Sequence, residues 1–153
     1  MPLFGKTLSD YLRFARGVLI LTIAVGVTRL LLSLAGAPTS IAVWFSLTGV
    51  MLVAMLYFAV RTHTSGFGSY RHLLILLALQ ILVSEAIVAG GIAITAVTGV
   101  ENIFSIPEYS GGENPNHWVH AGLHLALGPT LFAAILWVPA SVVHFVTKKI
   151  VRR

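Results

Sequence analysis

Residues 73–100 read LLILLALQILVSEAIVAGGIAITAVTGV, an apolar run whose single charged residue is Glu85. A helix of about 20 apolar residues is long enough to cross the hydrocarbon layer of a bilayer, which is about 30 Å thick. Because lipid offers no hydrogen-bond partner to backbone groups, a segment inside that layer must be helical. The stretch therefore predicts a transmembrane helix with a carboxylate near its middle.

Three further runs have the same character and occupy residues 17–37, 41–60 and 119–146. Apolar residues make up 57% of the 153-residue chain and charged residues 10%, whereas soluble domains carry about 25% charged residues. We therefore predict an all-α membrane protein, a single domain over residues 1–153 built as a bundle of four transmembrane helices. A loop at residues 101–118 connects the third and fourth spans in this scheme.

The basic residues lie asymmetrically about the predicted spans. Every Lys and Arg except Arg29 falls on one side of a four-span topology, and the opposite loop carries Glu101, Glu108 and Glu113. This bias predicts that both termini are cytoplasmic and that the protein lies in the cell (inner) membrane. The net charge of +5 is then a topology signal, and the partner that it indicates is the lipid bilayer, not nucleic acid.

The N-terminal residues allow two structures. Thr7 and Asp10 have the spacing of a helix-capping pair, and apolar residues at 8, 11, 12 and 15 share one helical face. One interpretation is a short interfacial helix at residues 7–16, and the other is a plain extension of the first span. A cleaved signal peptide is disfavoured, because the apolar run exceeds the usual length and Arg29 interrupts it.

Small residues spaced four apart in the third span predict close helix packing. Ala86 and Gly90 form one such pair, and Gly91 and Thr95 form another. Side chains of this size let helix backbones approach closely, which drives association where the hydrophobic effect is absent. The contact is either internal to the bundle or made with another membrane subunit or a second copy of the chain.

Two opposite charges inside the predicted spans suggest a buried pair. Ionisable residues within membrane helices usually face the bundle interior and find a partner. Arg29 of the first span is the obvious partner for Glu85, and the pair is interpreted either as a structural salt bridge or as part of a proton-relay or ligand site. Gln80 and Ser84, on the same helix as Glu85, extend a polar track from it.

Histidines form two further groups. His117, His120 and His124 share one helical face, and such a stripe can ligate Zn or Cu or supply an axial ligand to haem, with Glu113 as an added oxygen ligand. The alternative is a belt of interfacial side chains.

His72 and His144 are a second candidate pair of haem ligands. The alternative is that they too are interfacial side chains. The chain has no cysteine, so thiolate ligands are excluded. In the fourth span, Pro129 should free the carbonyl of Leu125 and kink the helix.

Three functional hypotheses follow. The sequence has no phosphate-binding loop, paired-carboxylate site or Ser/His/Asp arrangement, so catalytic activity of the chain alone is not expected. The first hypothesis is a non-catalytic accessory subunit of an electron-transfer or energy-transducing membrane complex. The second is a haem- or metal-binding redox protein that uses the histidine cluster. The third is a small proton-coupled transporter centred on Arg29 and Glu85.

Overall fold

The computed structural model describes residues 2–110 and 116–151. Within them the helices are, in chain order, α1 (Leu8–Leu34), α2 (Thr39–Ala42), α3 (Leu47–Thr64), α4 (Tyr70–Thr98), α5 (Pro107–Ser110), α6 (His117–Leu127), a π-helical segment (Gly128–Phe132) and α7 (Ala133–Ile150). Four stretches are long and apolar enough to cross a membrane, namely Leu8–Leu34, Thr39–Thr64, Tyr70–Thr98 and His117–Ile150. The prediction of an all-helical chain with four such spans is confirmed.

The first span begins earlier than its apolar run, and no separate interfacial helix precedes it. Thr7 and Asp10 form a reciprocal capping box at the start of α1. The helix then continues unbroken to Leu34, with Tyr11, Ala15 and Leu19 buried along one face. The helix is continuous through Gly17, so the N-terminal segment is an extension of the first span.

Consecutive spans run in opposite directions, and α4 contacts each of the other three spans. At the end that carries Arg61, Arg71 and Lys148, here called the basic end, the first residues of the chain meet the start of α4. The opposite end, which contains residues 99–110, is here called the loop end. One apolar core cluster lies toward each end, with Phe58 and Leu76 in the first and Leu47 and Ile92 in the second.

The loop between the third and fourth spans folds back into the bundle. The Asn102 side chain donates to the Gly91 carbonyl at 2.7 Å and to Thr95 Oγ1 at 2.9 Å, and its own oxygen accepts from Phe104 N at 3.0 Å. The Ile103 N–H donates to Ser33 Oγ of α1 at 2.8 Å. Asn102, Ile103 and Phe104 are consequently buried, and this part of the loop closes the loop end of the bundle.

The predicted packing residues of α4 divide into two groups. Gly91 and Thr95 are buried beneath the loop, whereas Ala86 and Gly90 are exposed on the outer face of the helix. A β-carbon at Gly91 would lie 2.6 Å from Phe104 Cδ2, while one at Gly90 would meet nothing within 4 Å. The close approach inside the chain therefore joins α4 to the loop at Gly91, and Gly90 has no part in it.

Substitution of these adjacent glycines should have opposite effects on stability. Gly91→Ala is expected to lower the free energy of unfolding by about 1–3 kcal/mol, because the new methyl group overpacks against Phe104. Gly90→Ala should leave it unchanged or raise it by up to about 1 kcal/mol, since alanine is the better helix former. Reversible unfolding in mixed micelles measures both values, and equal effects would contradict the packing described.

Candidate functional site

A cavity of about 310 Å³ lies between the middle of the bundle and the loop end. All four spans and the loop contribute to its walls, among them Arg29, Met51, Glu85, Phe104, His124 and Leu136. Most of this lining is apolar, with a few polar groups that converge on one space, as is usual for small-molecule sites. The cavity therefore holds the two charged residues that the sequence singled out.

Glu85 is paired with a histidine rather than with the expected arginine. Its Oε2 lies 2.5 Å from Nδ1 of His124, and the side chains of Glu85 and His124 are 6% and 22% exposed. A charge-assisted hydrogen bond of this kind is among the strongest that side chains make. The ion pair of Glu85 among the described residues is therefore with His124 of α6, and not with Arg29 of α1 as predicted.

The pair continues toward the loop end through a second histidine. Nε2 of His124 lies 3.3 Å from Nε2 of His120, which in turn lies 2.9 Å from the Ser110 carbonyl oxygen. A carbonyl only accepts, so Nε2 of His120 carries hydrogen and Nε2 of His124 accepts. Nδ1 of His124 then carries hydrogen and donates to Glu85. In this assignment the single hydrogen on Nε2 of His120 is shared between the Ser110 carbonyl oxygen, at 2.9 Å, and Nε2 of His124, at 3.3 Å.

This chain of groups can move a proton without moving any heavy atom far. When a proton binds Nδ1 of His120, the hydrogen on its Nε2 can pass to Nε2 of His124. The hydrogen on Nδ1 of His124 can then pass to Glu85, which becomes a neutral carboxylic acid. Histidine is the usual side chain for such transfers. His120, His124 and Glu85, here called the relay, thus form a continuous path of contacts along which a proton can pass from the loop end to the cavity.

Arg29 brings a positive charge to the same cavity. Its guanidinium carbon lies 5.4 Å from the centre of the Phe104 ring, a cation–π contact. Its Nε is buried and has no hydrogen-bond partner among residues 2–110 and 116–151. Charges inside a helix bundle are normally paired, whereas Arg29 lines the cavity and forms no ion pair with any carboxylate in the described part of the chain.

The fourth span departs from α-helical geometry where it passes Glu85. Gly128 begins the π-helical segment, and a β-carbon there would overlap the side chain of Glu85. Pro129, where the sequence predicts a kink, lies in this π-helical segment. Thr130 Oγ1 donates to the carbonyls of Ala126 and Leu127 at 3.3 and 3.1 Å. Single π turns inside helices are frequent at functional sites.

The predicted metal cluster is only partly assembled. Among the described residues, no group of three or more His, Asp or Glu side chains is placed to hold a metal ion. Nδ1 of His117 is buried and has no partner in that part of the chain, and Glu113 lies outside the described residues. Of the three histidines, the structure joins His120 and His124 to each other and to Glu85.

The second histidine pair serves the packing of the basic end. Nδ1 of His72 accepts from Ser69 N at 3.0 Å, and its Nε2 donates to the Phe4 carbonyl at 3.1 Å. Nδ1 of His144 donates to the Ala59 carbonyl at 2.9 Å. To ligate haem iron, His72 would have to break one of its bonds, so the geometry gives no support to the haem hypothesis for this pair.

The polar track predicted below Glu85 continues toward the basic end. Ser84 and Gln80 are both buried, and Thr22 of α1 donates to Oε1 of Gln80 at 3.1 Å. Nε2 of Gln80 has no partner among the described residues. The track thus leaves one polar donor unsatisfied deep in the bundle, on the basic-end side of the cavity.

No known protein family, curated protein or solved structure matches the chain. A functional assignment therefore has to come from the cavity and the groups that line it. Sequence reasoning missed Tyr109, which lines the cavity, and the space that Gly128 leaves for the Glu85 side chain. The signal for the second was present, because a glycine before a proline in a membrane helix commonly marks a position where another side chain packs close.

A double-mutant cycle should identify the partner of Glu85. The coupling energy between Glu85→Leu and His124→Leu is expected to be about 1–3 kcal/mol, because each single variant leaves a buried polar group unpaired. The cycle of Glu85→Leu with Arg29→Leu should give a smaller coupling, since those side chains do not contact each other. Unfolding free energies in mixed micelles measure both cycles. A larger coupling to Arg29 would show that the sequence-based pairing is the true one.

Proposed function

We propose that the protein is a small proton-coupled membrane carrier for an anionic ligand. The observation that carries the proposal is that the relay of His120, His124 and Glu85 ends in the wall of the cavity that also holds Arg29. Arg29 is positioned to attract an anion, and Glu85 is positioned to take up a proton. This is the third of the sequence-based hypotheses, with His124 in place of Arg29 as the partner of Glu85.

The charges that face the cavity couple anion binding to proton binding. In this scheme Arg29 attracts an anion and an ionised Glu85 repels it, while His124 and Tyr109 are neutral. Two like charges about 6 Å apart repel by about 3 kcal/mol at an effective dielectric constant of about 20. Protonation of Glu85 through the relay removes this repulsion, so that anion and proton bind together and the loaded cavity holds no net charge.

We further propose an orientation with both termini cytoplasmic in the inner membrane. The support is the bias of basic residues, since Lys6, Arg61, Arg71 and Lys148 all belong to the basic end. The loop end and its relay then face the outside. With this orientation the relay takes up protons from the outside.

A second candidate function is the accessory-subunit role, favoured by the outer face of α4. Ala86 and Gly90 are exposed there, and a side chain at Gly90 would meet nothing inside the chain. We expect Gly90→Leu to abolish co-purification of partner subunits from native membranes. Gly17→Leu, at another exposed and uncrowded glycine on α1, should have no such effect, and equal recovery with both variants would remove this candidate.

The carrier proposal predicts proton uptake that depends on an anion and on Glu85. Vesicles that contain the purified protein, a trapped pH-sensitive dye and valinomycin with potassium should acidify inside when octanesulfonate is added. This anion stays charged at every accessible pH, so it cannot carry the proton itself. Glu85→Gln should slow acidification by about tenfold or more, the scale expected for a positioned proton-transfer group.

The matched control is Glu101→Gln, which neutralises an exposed carboxylate of the loop. It should leave the rate unchanged. Wild-type acidification that is no faster than in protein-free vesicles, or that survives Glu85→Gln, would refute the proposed function.

A further inference from the structure

The cavity has a polar part and an apolar part at different depths. Arg29 lies about 8 Å from the end of α1, counted at about 1.5 Å per residue, and Tyr109 belongs to the loop end. Leu52 and Ile135 lie near the middle of the spans Thr39–Thr64 and His117–Ile150. The cation therefore sits nearer the membrane surface, and the apolar lining reaches toward the membrane centre.

The apolar part of the cavity is open on one side. Leu52 of α3, Phe132 of the π-helical segment and Ile135 of α7 all line it, yet they are 47%, 44% and 55% exposed. The helices α3 and α7 are neighbours, and the exposure of residues that also line the cavity points to a gap at its edge between these two helices. At the depth of the middle of both spans, such a gap faces the hydrocarbon of the bilayer and not water.

We propose that the ligand is a lipid-borne amphiphile with one oxyanion head group and an apolar chain, which enters sideways between α3 and α7. This inference rests on the proposed function, because it takes the same cavity as the ligand site. The head group binds beside Arg29, within reach of the relay, and the chain leaves through the gap. An amphiphile in the loop-end leaflet already has this orientation, with its charge at the surface and its chain toward the centre.

The size and lining of the cavity argue against a small water-soluble anion. About 310 Å³ is at the lower end of the range for small-molecule sites, about 300–1,000 Å³. A small anion bound to Arg29 would leave the apolar part empty and open to lipid. A longer ligand fills that part with the beginning of its chain, while the remainder stays in the bilayer.

The test measures equilibrium binding in nanodiscs of neutral phosphatidylcholine, with proton flux left out. Radiolabelled dodecanesulfonate is the ligand, its concentration is corrected for partition into empty nanodiscs, and methanesulfonate is the competitor. Wild-type protein should bind dodecanesulfonate at least about 100-fold more tightly than methanesulfonate. Arg29→Gln should weaken dodecanesulfonate binding by about tenfold or more, the cost of losing one charged contact in a buried site.

A matched pair of tryptophan variants tests the route of entry. Ile135→Trp should slow dodecanesulfonate binding by about tenfold or more, because it narrows the gap. Val142→Trp, two turns further along α7 and 59% exposed against 55% for Ile135, should not slow it. Thermal unfolding of each variant confirms that it is folded.

The outcomes separate the two proposals. Equal affinity for both sulfonates, with no effect of Ile135→Trp, would mean that a water-soluble anion enters from the loop end. This result would overturn lateral entry of an amphiphile and would leave the carrier proposal intact. Unchanged binding in Arg29→Gln would show that the cavity is not the site. Tight binding of dodecanesulfonate without proton uptake would support the ligand class and refute the carrier.

Discussion

The structure depends on the cost of placing a carboxylate in the middle of a membrane. An isolated charge there is expensive, so Glu85 needs a partner from another helix. That partner is Nδ1 of His124, at 2.5 Å, and Gly128 provides the space for the carboxylate side chain. The close contact between α4 and the fourth span, and the π-helical turn that follows Gly128, are both consistent with this single requirement.

The loop end supplies the second constraint. Asn102 satisfies the Gly91 carbonyl and the Thr95 hydroxyl inside the bundle, and this holds Phe104 directly beneath the guanidinium of Arg29. The loop is therefore an interior element of the fold. Because the Ser110 carbonyl is also bonded to His120, the same short segment positions both the cation and the first group of the relay.

The number and type of the spans could be predicted from the sequence, but the short helices α2 and α5, the π-helical segment and the contacts between the spans could not. Hydropathy determines which stretches become spans, since it depends on each stretch alone. The partner of Glu85 depends on how α1 and α6 rotate about α4, and no local pattern encodes that rotation. The distances along the helices made Arg29 a reasonable partner for Glu85. The sequence indicates His124 as a candidate ligand by its spacing to His120. It contains no local pattern that predicts the proximity of His124 to a carboxylate thirty-nine positions earlier.

The separation of Arg29 from Glu85 is the feature with the greatest functional consequence. Had the two paired, the cavity would contain a neutral ion pair and would have no reason to attract an anion. With Glu85 bonded to His124, the carboxylate contacts a group that can deliver a proton to it. Arg29 lines the same cavity and forms no ion pair within the described residues. The charge of Glu85 can be neutralised by a proton, whereas that of Arg29 cannot. The affinity of such a cavity for anions changes each time a proton binds. Under the proposed function this property couples anion binding to proton binding, and it depends on which helix contacts the carboxylate.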